Sequence, residues 1–250
     1  MTDIWAACGA VAVPRRLDGE VLRLVESQEQ VATNRLVGTL AEQELLESML
    51  EASKPAVPAS AAKLDYLLAT PFRYPPLRYG SRFGGRHEPS LFYGARTLTT
   101  VLAESAYYRF VFREGMSVPP AAPLRTQHTL FGARVRARRA FALHLPPFDA
   151  YRGELTSRNH YAATQALGRA LRDAGADAVE YVSARDAEAG LNVALYSPKA
   201  FAQPRPTFKE EWLCETRAEE VSFFARGDAG LRVFPRFQFT VDSRLPMPAT

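Results

Sequence analysis

The chain has 250 residues, of which 47% are hydrophobic and 23% charged, a composition that supports a core of ordinary size. No apolar run reaches the roughly 18–20 residues that span a membrane, and the N-terminal positive charges follow the apolar part, the reverse of a secretory signal. We therefore predict a soluble cytoplasmic protein, whose net charge of +4 is compatible with nucleic acid, an anionic small molecule or simple solubility.

The N-terminal quarter has the pattern of helices. Residues 18 to 52 carry apolar stripes separated by acids and glutamines, and Asn34 is a candidate break between two helices. The proline-containing stretch KPAVPAS, residues 54–60, ends this pattern. We therefore predict a helical N-terminal extension with a linker over residues 1–60, followed by a main domain over residues 61–250.

From Tyr66 onward, short β-type runs alternate with glycine-containing turns. One helix is predicted after Thr97 as its N-cap, and another from about Thr156 to Ala174, stopped by Gly175. The runs are LRYGSRF, SLFYGA, FALHLPPF, AVEYVSAR, NVALYSPKAF and further strands between WLCETRA and RFQFTVDS. The predicted fold class is α+β, with mostly antiparallel twisted sheets and peripheral helices.

Cysteine and histidine give no metal pattern. Cys8 and Cys214 have no zinc-type spacing, so no metal is predicted, and reduced thiols are favoured over a single disulfide. The histidines are scattered along the chain and are interpreted as surface or core residues: His87, His128, His144 and His160.

Glu104 is the first candidate for chemistry. At 100° per residue it lies about 90° from the centre of the apolar stripe of its helix, beside Tyr108 at i+4. Thr100, four positions earlier, gives it no basic partner. Glu104 is therefore either a solvated surface residue or a carboxylate held partly desolvated at a cleft, where it would stabilise developing positive charge.

The segment PFRYPPLRYGSRFGG precedes that helix and contains three arginines, Arg73, Arg78 and Arg82. A guanidinium matches phosphate oxygens, and the neighbouring aromatic rings offer faces for a base or a pyridinium. The alternative is a turn-rich hairpin with exposed arginines. The glycines do not have the spacing of a dinucleotide-binding GxGxxG motif.

The order of these motifs resembles the RES domain, a toxin family named for its Arg, Glu and Ser. The resemblance covers roughly Tyr66 to Phe201, and more weakly the strands after it. It rests on Arg-Tyr in PFRY, Arg in YGSRF, Tyr in SLFYGA, Glu in TVLAES and Ser in EYVSARD. It implies a fold related to ADP-ribosyltransferase toxins and makes residues 61–250 the catalytic domain.

The resemblance also implies NAD⁺ as the substrate and assigns roles to individual residues. Glu104, Arg73 and Ser183 are the predicted catalytic residues. The predicted NAD⁺-binding residues are Arg73, Tyr74, Arg82, Tyr93 and Ser183, with Arg78 as an alternative to Arg82. Ser183 is expected to donate a hydrogen bond to the ligand, with Arg185 and Asp186 either orienting it or forming the turn.

Three functions remain open from the sequence. The first is a toxin that transfers ADP-ribose from NAD⁺ to water or phosphate. The second transfers it to a protein, for example phosphoribosyl pyrophosphate synthetase. The third is a non-enzymatic nucleic-acid-binding module that uses RYGSRFGGR and the strand-like run RVRARR, residues 134–139. For the toxin, the resemblance implies an Xre-like antitoxin as partner, and nucleic acid is expected to be contacted only indirectly, through that antitoxin. No membrane contact is predicted.

Overall fold

The computed structural model describes residues 2–27, 37–225, 227 and 230–247. In chain order the helices and strands are α1 Ile4–Cys8, β1 Arg15–Glu26, α2 Leu40–Ser53, α3 Tyr66–Arg73, β2 Phe92–Ala95, α4 Leu98–Glu114, β3 Leu124–Ala142, α5 Arg152–Leu155, α6 Ala162–Asp173, β4 Ala178–Val182, β5 Leu191–Leu195, β6 Phe208–Thr216, β7 Glu220–Ala225 and β8 Arg232–Pro235.

The strands form one sheet in the order β1-β2-β5-β4-β3-β6-β7-β8. An additional pairing between β1 and β3 closes the first five strands into a ring. Among the pairings described, only β3 with β4 is parallel. The predicted α+β class with a mostly antiparallel sheet is therefore confirmed.

Strand β1 corrects the prediction of an all-helical N-terminal extension. Residues 15–26 pair with β3 from Arg15 opposite Ala140 to Glu26 opposite His128, so the helix predicted from residue 18 is wrong as far as residue 26. Because β1 belongs to the ring, the predicted division at residue 60 does not hold for this strand. The helical prediction is correct for α2. This helix begins with a capping box formed by Thr39 and Glu42. The predicted break at Asn34 lies outside the described residues.

Three other segments also differ from the sequence prediction. Tyr66–Arg73 is a helix, α3, whose N-cap Asp65 accepts a hydrogen bond from the Leu67 amide. The run LRYGSRF contains only an isolated bridge between Ser81 and Gly84, because Gly80 turns the chain there with φ +70°. RFQF is a 3₁₀ turn rather than a strand.

The predicted helix α6 begins later than expected, at Ala162, and it ends before Gly175, which has φ +76°. The predicted antiparallel pair formed by AVEYV and the strand after DAEAG is confirmed as β4 and β5.

Three apolar clusters hold these elements together. Helix α4 packs on β6–β8 through residues such as Tyr107, Phe110 and Trp212. Helix α6 and α1 pack on β4, and α3 packs on the ring strands. Cys8 and Cys214 are free thiols buried in two different clusters. Among the described residues, no helix is long and apolar enough to cross a membrane.

Close approach of α6 to the loop after Arg82 gives a stability prediction. A Cβ at Gly168 would lie 2.0 Å from the Phe83 carbonyl oxygen, which is backbone and cannot rotate away. We expect Gly168→Ala to lower the free energy of unfolding by about 1–3 kcal/mol, the usual cost of overpacking. Chemical denaturation measures this loss. Gly153→Ala is the control because a Cβ there meets nothing within 4 Å, and an equal loss in both variants would contradict the prediction.

Candidate functional site

A cavity of about 620 Å³ opens between α4, β1, β2 and the loop around Gly80. Its volume lies within the range of about 300–1,000 Å³ that is usual for small-molecule and cofactor sites. The polar and aromatic residues that line it include Arg23, Tyr74, Ser81, Arg82, Tyr93, Glu104, Tyr108, Tyr161, Tyr181 and Asn192.

Glu104 is half-buried in the wall of this cavity, beside the exposed Tyr108, as the helical geometry predicted. The Ser183 hydroxyl and the Asn192 side-chain amide both donate hydrogen bonds to Glu104 Oε1, each at 2.6 Å. No hydrogen bond from a described residue to Glu104 Oε2 was found. One carboxylate oxygen is thus fixed by α4's neighbours β4 and β5, and the other is available to a ligand.

The orientation of Ser183 is determined by its other hydrogen bonds. Its oxygen accepts hydrogen bonds from the backbone N–H groups of Arg185 and Asp186, both at 3.1 Å. Both lone pairs are therefore occupied and the proton points to Glu104. Asp186 in turn accepts a 2.8 Å hydrogen bond from Thr100 in the first turn of α4. Ser183 is buried and is not among the residues that line the cavity, and its hydroxyl donates to Glu104. This arrangement does not support the predicted donation to a ligand.

Arg23 on β1 brings a guanidinium into the cavity that the sequence analysis did not predict. It lines the cavity, donates a 2.9 Å hydrogen bond to the Tyr93 carbonyl oxygen, and lies 5.0 Å from the Phe92 ring centroid. Burial lowers the pKa of its guanidinium to about 10. No ion pair to Arg23 was found among the described residues, and a bound anion would compensate this desolvated charge.

The cavity contains three of the predicted binding residues: Tyr74, Arg82 and Tyr93. The Tyr93 hydroxyl contacts Ser81 at 2.7 Å and accepts a hydrogen bond from the Phe83 amide, and burial raises its pKa. Arg82 Nη1 donates to the carbonyl oxygens of Leu155 and Ser157, so the N–H groups of this nitrogen are already engaged within the protein.

Arg73 and Arg78 lie outside the cavity lining. Arg73 forms a 2.7 Å ion pair with Glu51 of α2 and donates a 2.6 Å hydrogen bond to the Pro55 carbonyl oxygen. Arg78 lies over the ring of Tyr79. The structure therefore does not bring Arg73 to Glu104, and its predicted catalytic role is not supported by this arrangement.

Three polar residues, Glu26, Arg109 and His128, line another part of the cavity wall. Arg109 forms a 2.8 Å ion pair with Glu26 and lies 4.9 Å from the Phe112 ring centroid. His128, also in the lining, is buried, and burial with the nearby Arg109 charge lowers its pKa to about 4. It is neutral at pH 7. Among the described residues there is no group of three or more histidines, cysteines and acids that would hold a metal ion.

Sequence reasoning missed Arg23 and Asn192, and one signal was available for both. Each is a lone polar residue inside an apolar strand, in VLRLV and in LNVAL respectively. A polar side chain in such a run needs a partner or a cavity. Arg23 was not predicted as a site residue because residues 18 to 26 were interpreted as a helix and not as a strand.

The structure thus combines an α+β fold with one cavity that contains a partly desolvated carboxylate and a guanidinium without an ion pair. The family model described as RES domain matches residues 57–217, more than half of the chain. The chain therefore belongs to the RES domain family, which confirms the resemblance. A search of curated proteins found no match.

One solved structure with similarity to this chain is the crystal structure of the M. tuberculosis MbcT–MbcA toxin–antitoxin complex. The identity is 11%, the TM-score is 0.46, and the match covers 84% of this chain and 92% of that one.

The hydrogen bond between Asn192 and Glu104 gives a prediction that needs no substrate. Asn192→Asp would place two carboxylates 2.6 Å apart, so one of them would have a raised pKa in the folded state. The folded state would be destabilised at pH 7 and would recover as pH falls through that raised pKa, because the pair then binds a proton.

Chemical denaturation at neutral and mildly acidic pH measures the difference from wild type. Asn159→Asp, at an exposed position, is the control. An Asn192→Asp protein that matches wild type in unfolding free energy at both pH values would show that the two side chains do not meet.

Proposed function

We propose that this protein is the toxin of a toxin–antitoxin pair, and that it cleaves the nicotinamide–ribose bond of NAD⁺ and transfers ADP-ribose to water or phosphate. The observation that carries the proposal is the carboxylate of Glu104, with one oxygen fixed by two donors and the other free in a cavity that also contains Arg23. Membership in the RES domain family supports it, because the resemblance is to NAD⁺-consuming toxins.

Cleavage of the nicotinamide–ribose bond requires a negative charge near the ribose, and the Glu104 carboxylate would supply it. The bond between ribose C1′ and the nicotinamide nitrogen breaks, its electron pair goes to the ring nitrogen, and the ring leaves neutral. Positive charge develops on the ribose, and a preorganised carboxylate stabilises it. An oxygen of water or phosphate then bonds to C1′, and its proton is released to solvent or to Glu104 Oε2. Ser183 and Asn192 keep Glu104 in place without taking part in bond making.

The remaining lining residues suit a dinucleotide. Arg23 would pair with the pyrophosphate, and binding that anion would offset the cost of the desolvated guanidinium. The rings of Tyr93, Tyr161 and Tyr181 give flat faces in the same cavity. In this assignment Arg23 replaces Arg73 as the phosphate-binding residue.

An Xre-like antitoxin is the proposed partner, since a protein that consumes NAD⁺ must be restrained in its own cell. Exposed aromatic and aliphatic side chains border the cavity and are 50% exposed for Tyr108, 53% for Phe112 and 75% for Leu77. Such a border favours a protein at the mouth. It suits an antitoxin segment, and equally the second candidate function, in which a protein accepts the ADP-ribose.

The nucleic-acid-binding alternative has little support in the strand RVRARR. Arg134 and Arg136 both form ion pairs with Asp18 of β1, which lowers the pKa of that carboxyl group. Arg139 donates to the carbonyl oxygens of Ala174 and Gly175 at the end of α6. Much of the run is therefore engaged in holding the fold.

Replacing Glu104 tests the proposed role directly. In Glu104→Gln the side-chain oxygen can still accept from Ser183 and Asn192, but the charge is lost. We expect NAD⁺ turnover to fall by about 10²–10³-fold. Mass spectrometry of the products identifies the acceptor, as free ADP-ribose, ADP-ribose-1″-phosphate or a modified protein.

Glu211→Gln, at an exposed position on β6, is the matched control and should keep wild-type turnover. Full NAD⁺ turnover in Glu104→Gln would refute the assignment of Glu104. Wild-type protein that leaves NAD⁺ intact in cells and in vitro, and is harmless when expressed alone, would refute the proposed function.

Arg23 is expected to act in binding rather than in bond cleavage. Arg23→Gln removes one guanidinium, the one without an ion pair, from the cavity. It should raise KM for NAD⁺ by at least tenfold, the loss expected for a charged hydrogen bond worth about 1.5–3 kcal/mol. Its kcat should change less than that of Glu104→Gln. Arg78→Gln, outside the lining, serves as the control, and an unchanged KM in Arg23→Gln would contradict this role.

A further inference from the structure

The ion pair between Glu26 and Arg109 lines the cavity more than one helical turn beyond Glu104. Arg109 follows Glu104 by five residues, about 7.5 Å further along α4. Its Nη1 donates to Glu26 Oε2 and its Nε to the Thr216 hydroxyl, whereas Nη2 is buried and has no hydrogen-bond partner among the described residues. The Glu26 side chain is 56% exposed, and no hydrogen bond from a described residue to its Oε1 was found. This part of the wall therefore offers an acceptor beside a guanidinium.

A second buried polar atom without a partner belongs to the same part of the wall. His128 is directly opposite Glu26 across β1 and β3, so the two side chains share a face of the sheet. Its Nε2 contacts the Thr126 hydroxyl at 2.9 Å, whereas Nδ1 has no hydrogen-bond partner within the part of the chain that the structure describes. Arg109 is 6% exposed and His128 4%. Because a buried polar atom without a partner is costly, two of them at one cavity wall indicate a place for a polar ligand group.

The position of this wall suits the second base of a dinucleotide. Arg23 precedes Glu26 by three residues of an extended strand, about 10 Å along β1. With ribose C1′ at Glu104 and the pyrophosphate at Arg23, as proposed above, nicotinamide is the base beside Glu104. The base that remains for the wall at Glu26 and Arg109 is adenine. Phe112, three residues further along α4 and in the same lining, provides an aromatic ring against which a base can lie.

We propose that Glu26, held by Arg109, recognises the exocyclic amine of adenine and makes the site specific for an adenine dinucleotide. The inference rests on the proposed function. Adenine presents its amine as a donor and the neighbouring ring nitrogens as acceptors. The amine donates to Glu26 Oε1, and a ring nitrogen accepts from the Arg109 guanidinium. Hypoxanthine has a carbonyl oxygen in place of the amine, and this oxygen would face the carboxylate, so that two acceptors meet and binding is weakened.

Nicotinamide release from NAD⁺ and from nicotinamide hypoxanthine dinucleotide tests the inference. We expect kcat/KM of the wild-type protein to be about tenfold higher for NAD⁺, the loss expected when a hydrogen bond to a charged group is removed. In Glu26→Gln the amide can donate to the hypoxanthine oxygen, so the preference should fall to about threefold or less. Glu211→Gln, the same change at an exposed position on β6, is the control and should keep the wild-type preference. Both substrates are compared on one preparation, so a partly unfolded variant still gives a valid ratio.

A binding measurement that needs no bond cleavage separates this inference from the proposed function. ADP and inosine diphosphate carry the two bases on the same ribose and pyrophosphate, and calorimetry gives their Kd values. Wild-type protein should bind ADP about tenfold more tightly, and Glu26→Gln should bind both about equally. Equal kcat/KM for the two dinucleotides in wild-type protein would overturn the inference, as would a preference that Glu26→Gln retains. If neither dinucleotide is cleaved, the proposed function is refuted, and equal binding of the two diphosphates, or none, would then overturn the inference as well.

Discussion

The pair of short hydrogen bonds to Glu104 Oε1 is the interaction on which the rest of the site depends. Ser183 directly follows β4 and Asn192 lies on β5, so both donors come from one strand pair and the turn between its strands, while Glu104 belongs to α4. The bonds therefore tie α4 to this strand pair. A carboxylate in such surroundings is costly unless it is hydrogen-bonded, and two neutral donors satisfy one oxygen without neutralising the charge.

Different residues of the site hold Glu104 in place and line the cavity. The turn after Ser183 fixes the serine through two backbone N–H groups, and Asp186 ties the same turn to Thr100 on α4. None of these groups needs to touch a ligand for the geometry of Glu104 to be maintained. Arg23 on β1 comes from another part of the chain. The site therefore joins segments that lie about 80 residues before and about 80 residues after Glu104.

The sequence predicted those parts of the structure that local rules control. Helix α4 and its Thr97 N-cap follow from local rules, and helical periodicity placed Glu104 beside Tyr108 without deciding between a solvated and a partly desolvated carboxylate. The β4–β5 pair follows from two apolar runs joined by a short turn. Strand β1 could not be predicted in this way, because its conformation depends on pairing with β3, more than 100 residues later. The ion pair of Arg73 with Glu51 could not be predicted for a similar reason, since it joins two separate helices.

Because β1 closes the ring of strands, a segment that folds in this way must include β1. The family model begins at residue 57, yet β1 covers an edge of both β2 and β3 and contains Arg23. A fragment that began at residue 57 would leave unpaired backbone N–H and C=O groups along the long strand β3, and such an edge invites aggregation. It would also lose the Arg23 guanidinium from the cavity. The smallest segment able to close this ring is therefore longer than the segment that the family model matches.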